Sequence, residues 1–212
     1  MDIFCLDTPL DGSYAQAYIH GTWEGEGLCP GCKTAVRKLV EPVIIEWESG
    51  SDQIGDFTWL NFIGEAIVVT DRVRRAIEPE FECGFASPSM WQDPKLKRPV
   101  RMTKRSKPRV WLPYQGPTLW RMVAKGKARV DGNASNWMLK KTCPVCNKEF
   151  WYPPEQNPHL VVDRSTWSGH DIFRLERTGG TAVLVTERVK DLIESRGFTN
   201  IRLERRGLIP EL

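Results

Sequence analysis

Apolar residues fall along this chain in short runs separated by polar and turn-forming residues, and two of these runs are followed by a change of period. Ile67-Val68-Val69 is a β-branched run of the kind that forms a buried strand, and Val183-Leu184-Val185 is its counterpart. Directly afterwards the spacing becomes helical. Val73 and Ile77 lie four apart and share one face, and Val189, Leu192 and Ile193 make the matching stripe. Thr70 and Thr186 stand where N-caps are expected. Asp71 and Glu187 follow in the first turn, where a carboxylate favours the helix dipole. Pro79 predicts the end of the first helix and Gly197 the end of the second.

These two strand–helix segments are an internal repeat. Gly64 to Glu78 and Gly180 to Glu194 match at eight of fifteen positions, and most of the rest are conservative exchanges. Upstream of each copy lies a Cys-Pro-x-Cys. Cys29 precedes Thr70 by 41 residues, and Cys143 precedes Thr186 by 43. The expected unit is therefore a cysteine knuckle, a few strands and a capped helix. The fold class expected from this is α+β: two pseudo-repeats, each a zinc knuckle with a small antiparallel sheet and a short helix, joined by a shared split zinc ribbon.

One Cys-x-x-Cys supplies two ligands, and a structural zinc site takes four. Cys29, Cys32, Cys143 and Cys146 together complete one all-thiolate set, which ties the two halves across more than a hundred residues. Two other readings stand beside this one. Dithiol redox motifs look similar, but they place the first cysteine at a helix N-terminus, and Asn147 to Pro154 is a poor helix. In the other reading the cysteines are merely buried, since knuckles usually carry glycine after the second cysteine and here Lys33 and Asn147 stand there. Cys5 and Cys83 read as buried thiols, and His20, His159 and His170 lack ligand spacing.

Charge divides the chain. Residues 1–94 carry six Lys/Arg against sixteen Asp/Glu, residues 95–151 carry fifteen against two, and the remainder is balanced, for a net charge of +3. Such asymmetry speaks about partners rather than fold. Eight of the fifteen residues from Lys95 to Arg109 are basic, which predicts an extended connector. Expected units are 1–94, a basic connector and insertion over 95–136, and 137–212. The N-terminus has no signal-peptide pattern, and no apolar stretch is long enough for a membrane helix, so a cytoplasmic protein is expected. No nucleotide loop, metalloprotease signature or nucleophile motif is present, and Asp163, Ser165 and His170 read as a turn. A non-enzyme is expected.

The two Cys-Pro-x-Cys knuckles, the segment His159 to Arg174 and the stretch from Val185 to Asn200 together resemble the double-CXXCG family, a large set of myxobacterial paralogues. The resemblance covers most of the chain and is weakest between Lys95 and Asn136. Some members are immunity proteins that protect a cell from a toxin exchanged between kin. The resemblance therefore implies a binding protein that neutralises a cognate toxin by occlusion, on a structural-zinc scaffold. Glu46, Trp47, Glu48, Asp52, Asp56 and Trp59 are the residues expected to meet that partner, with charge speeding encounter and aromatics anchoring it. The alternative is nucleic-acid binding through the Lys95–Arg109 run with Trp91 and Trp111.

Overall fold

A computed structural model describes residues 1–9, 11–20, 23–24, 27–34, 38–60, 65–92, 101, 103–104, 106–155, 159–178 and 182–211. Gly64, Gly180 and Thr181 of the repeat lie outside the described residues, as do residues 95–100, 102 and 105 of the basic run. In chain order the strands of the first half are β1 (Asp2–Asp7), β2 (Ala17–Ile19), β3 (Trp23–Glu24), β4 (Lys38–Leu39), β5 (Ile44–Trp47), β6 (Phe57–Trp59) and β7 (Ile67–Thr70). Helix α1 (Asp71–Ile77) follows, then β8 (Cys83–Ala86) and β9 (Ser89–Met90). The second half has β10 (Leu119–Ala124), β11 (Gly126–Val130), β12 (Met138–Thr142), β13 (Glu149–Tyr152), β14 (Leu160–Asp163), β15 (Ile172–Leu175) and β16 (Val183–Thr186). It ends with α2 (Glu187–Arg196) and β17 (Arg202–Leu208).

The chain is mostly β, which corrects the α+β expectation. Its largest sheet is a closed six-stranded barrel in the order β1-β16-β15-β11-β14-β17, not a small sheet beside a knuckle. The reason lies in what the sequence pattern hid. Short runs such as Leu119 to Ala124 bury four of six residues without regular alternation and pair at long range, which local periodicity cannot show.

The repeat segment takes the same form twice. β7 runs into α1 as β16 runs into α2, and Val73, Ile77, Val189 and Ile193 are all buried. The strand order of the barrel is also retraced in the other half by two sheets, β6-β7-β10-β8 and β2-β5-β9. A bridge between Ala17 and Leu60 joins these sheets, and the chain passes directly from β8 towards β9. Registers agree between the halves: Leu119 faces Thr70 where Ile3 faces Thr186, and Ile44 faces Ser89 in parallel where Leu160 faces Gly207.

The first strand of each copy has changed places. β1, from the N-terminus, pairs with β16 and β17 of the second copy, while β10 pairs with β7 and β8 of the first. A shared core lies where the copies meet. Ile67, Val69, Val73, Ile77 and Phe81 pack there with Val183, Val185, Val189, Ile193 and Phe198. Smaller cores fill each half: one around Ala17, Val43, Ile45, Trp47 and Val68, the other around Ile3, Val130, Val162, Phe173 and Leu184. Cation–ring contacts cross between copies as well. Arg72 lies 4.8 Å from the Phe198 ring and Arg188 lies 5.3 Å from the Phe81 ring.

Thr70 and Thr186 hold the N-cap positions, but neither side chain caps its helix. Each hydroxyl donates instead to a carboxylate on the preceding strand connection. Thr70 Oγ1 donates to Asp56 Oδ1 at 2.9 Å, and Thr186 Oγ1 donates to Asp171 Oδ1 at 2.5 Å. Arg72 and Arg188 complete the pattern with 2.6 and 2.8 Å contacts to Asp56 Oδ2 and Asp171 Oδ2.

Candidate metal centre

Each knuckle is a tight turn carried by a two-stranded ribbon, β3–β4 in the first copy and β12–β13 in the second. The turns are superposable in their bonding. Lys33 N donates to Cys29 O at 2.8 Å, and Asn147 N donates to Cys143 O at 2.9 Å. Cys29 N then donates to Thr34 O at 2.9 Å, and Cys143 N to Lys148 O at 2.8 Å. Closing this turn forces the residue after the second cysteine into the left-handed region, with φ of 60° at Lys33 and 56° at Asn147. The sequence places no glycine at either position, and both turns form nonetheless.

The turns bring the four thiols together. The Sγ atoms of Cys29, Cys32, Cys143 and Cys146 all lie within 4.8 Å of one another and could hold a metal ion. Cys29 faces Cys143 and Cys32 faces Cys146, each at 3.6 Å. That is too long for a disulfide, whose sulfurs are about 2.05 Å apart. It is close to the edge of a thiolate tetrahedron around a zinc-sized ion, roughly 3.8 Å for metal–sulfur bonds of about 2.3 Å. Cys29 and Cys143 are buried, Cys32 is half-buried and Cys146 is exposed, so one side of the cluster remains open to solvent.

The protons on these thiols are unevenly held. The Thr34 hydroxyl and backbone hold Cys32 down to about 6. Amides of Cys146 and Val145 lower Cys143. The Lys148 backbone favours the Cys146 thiolate, but desolvation and the neighbouring sulfurs outweigh it and push Cys146 up to about 12. Four thiols this close compete for the anionic form, and a divalent cation removes the competition by taking all of them as thiolates. Cys5 and Cys83, by contrast, are buried and belong to no metal-ligand group among the described residues. Burial raises the first and pushes the second up to about 12.

Of the six residues expected at a partner surface, Trp47 and Asp56 are buried within the fold. Trp47 is 4% exposed and stacks on Tyr114 with ring centroids 6.2 Å apart. Asp56 is 8% exposed and works within the fold, accepting from Thr70, Arg72 and the Thr199 amide and hydroxyl. Trp59 packs against the shared core, and Glu46 lies 3.0 Å from His20 Nδ1. Glu48 is half-buried and Asp52 exposed. Asp163, Ser165 and His170 form no triad. Ser165 Oγ donates to Asp163 Oδ1 at 2.7 Å, while His170 turns to Ser168 and to Glu82.

The Asp–Thr–Arg networks were within reach of the sequence. Asp56 precedes Thr70 by 14 residues and Asp171 precedes Thr186 by 15, with an arginine two places after each threonine. Extending the repeat alignment upstream would have found them. No protein-family model and no curated protein matches this chain. No helix among the described residues is long and apolar enough to cross a membrane.

Proposed function

We propose that this is a non-catalytic, cytoplasmic binding protein whose two halves are stapled by one structural zinc, and that it neutralises a cognate protein toxin by covering it. The convergence of all four cysteine sulfurs within 4.8 Å carries the scaffold part of this reading. Four protein thiolates fill a tetrahedral zinc shell, and a filled shell leaves no position for a substrate, which is the mark of a structural site. The toxin-binding part rests on the resemblance of the knuckles and the 159–174 segment to the double-CXXCG family. Occlusion requires a rigid surface and no reacting groups, and a metal-tied β scaffold supplies rigidity.

The test is co-expression with the product of the neighbouring gene. Rescue of cells from that product, with co-purification of the two chains, is the expected result. Full toxicity in the presence of this chain would sink the reading. Nucleic-acid binding is the second reading, favoured by Lys140, Lys141 and Lys148, which flank the second knuckle with no acidic partner among the described residues.

A further inference from the structure

All the large apolar side chains that stand exposed among the described residues lie on the two knuckles and on the β12–β13 hairpin that carries the second. Leu28 and Val145 sit on the knuckles, and Met138, Leu139 and Tyr152 sit on the β12–β13 hairpin. A concentration of this kind marks an interaction surface. The chemistry of the hairpin says which kind. Phe150 and Tyr152 are two residues apart on β13, so they share one face, roughly 6.7 Å apart along the strand. Lys141 lies 5.0 Å from the Phe150 ring, and Lys140 lies 5.0 Å from the Tyr152 ring and donates to its hydroxyl at 3.1 Å. The whole of β12 is exposed.

The hairpin's one carboxylate, Glu149, is engaged by Trp151 Nε1 at 2.9 Å and by Arg177 at 3.7 Å. Glu149 N also donates to Arg177 O at 2.7 Å, which fastens the hairpin to the barrel. Arg177 continues the basic surface into a cleft of about 450 Å³. Lys127, Arg129 and Arg174 line that cleft with two acids, Glu65 and Glu176. The acids pair with Arg174 and Lys127, and Arg129 is left without an ion pair among the described residues.

We propose that the outer face of the β12–β13 hairpin and the adjoining cleft bind single-stranded nucleic acid. Bases stack on Phe150 and Tyr152, while the three hairpin lysines and the cleft cations contact the phosphates. This inference rests on the nucleic-acid reading and is independent of toxin binding. Each ring on β13 has a lysine of β12 beside it, which suits a chain that carries a phosphate beside each base. A protein-docking site instead gathers its apolar anchors at a centre and its charges at a rim. An exposed cation–ring contact is weak, so each lysine can leave its ring for a phosphate when a base arrives. The rings offer π-faces without base-edge readers, so binding should tolerate sequence.

Fluorescence anisotropy of the full, metal-loaded chain with labelled oligo(dT) and oligo(U) of about fifteen nucleotides tests the proposal. Binding should weaken steeply with salt, and a duplex of the same length should bind less well. Phe150→Ala and Tyr152→Ala should each weaken the single-strand complex about tenfold. The Lys140→Glu, Lys141→Glu double variant changes only exposed side chains. It should weaken binding further and flatten the salt dependence by at least about 0.7 per lysine. Circular dichroism and metal content check that each variant is folded. No binding to either oligonucleotide at low salt overturns both the surface and the nucleic-acid reading. Binding that every variant retains unchanged overturns the surface alone. Equal affinity for poly-glutamate assigns the face to an acidic polypeptide and overturns the proposal.

Discussion

Asp56 collects four hydrogen bonds on one carboxylate: from Thr70 Oγ1, from Arg72, and from the amide and hydroxyl of Thr199. Its counterpart Asp171 accepts side-chain bonds from Thr186 and Arg188. Charge-assisted bonds to a buried carboxylate are costly to remove, since the donors are left without an acceptor. Asp56→Ala should therefore destabilise the protein by about 2–3 kcal/mol, and Asp171→Ala by less. Urea unfolding midpoints compare the two. A second residue-scale expectation concerns acid. Bonds from Arg74 and Trp120 Nε1 hold the Asp71 carboxyl below its usual range. A depressed folded value means that this carboxylate stabilises the fold above its unfolded pKa of about 3.9, and that the contribution is lost as pH falls through the folded value. The drop in unfolding midpoint between neutral pH and about pH 3 should thus be smaller in Asp71→Asn than in the parent.

At the scale of elements, the knuckles invite a direct comparison. Lys33 and Asn147 occupy the same left-handed position in two turns of identical bonding. Lysine bears the full steric cost there, whereas asparagine tolerates the conformation through local hydrogen bonding. Lys33→Gly should raise stability by about 1 kcal/mol, and Asn147→Gly by clearly less, read as shifts in thermal midpoint. The strand–helix segments and the knuckles were legible in the sequence because each is local. A β-branched run, a four-residue spacing and a Cys-Pro-x-Cys all declare themselves within fifteen residues. The barrel was not legible, because its pairings join β1 to β17 and β11 to β15 across long stretches of chain. Nor was the fate of Trp47 and Asp56. Trp47 looks exposed in a charged stretch until the core of its own half and Tyr114 are known to enclose it, and Asp56 until the second copy is known to pack over it, as Thr199 and Phe198 do over Asp56 and Phe57.

For the whole molecule, the exchange of β1 and β10 means that neither half owns all its strands. A single cut in the chain between Met90 and Leu119 should leave two fragments that elute together, because each still holds a strand in the other's sheet. Elution as separate species in gel filtration would contradict the exchange. A metal held by the cysteine cluster would add a second tie. Protein purified without chelator should carry about one zinc per chain. Cys29→Ser and Cys146→Ser should lower the unfolding midpoint to a similar degree, because each would give one ligand to the same ion from opposite halves. Strong chelation should weaken both halves at once rather than release one.

The exchanged strands also bear on ancestry. One copy of the repeat has two thiols, half of a coordination shell, and a first strand that finds its place only in another copy's sheet. Two separate chains of that kind would meet as a symmetric dimer with the ion on the twofold axis. Joining them end to end removes the dependence on concentration and, more importantly, frees the copies from being the same. One half of this chain is acidic and the other carries cations around its knuckle. A symmetric pair cannot carry such a difference, since every residue appears on both sides of its axis.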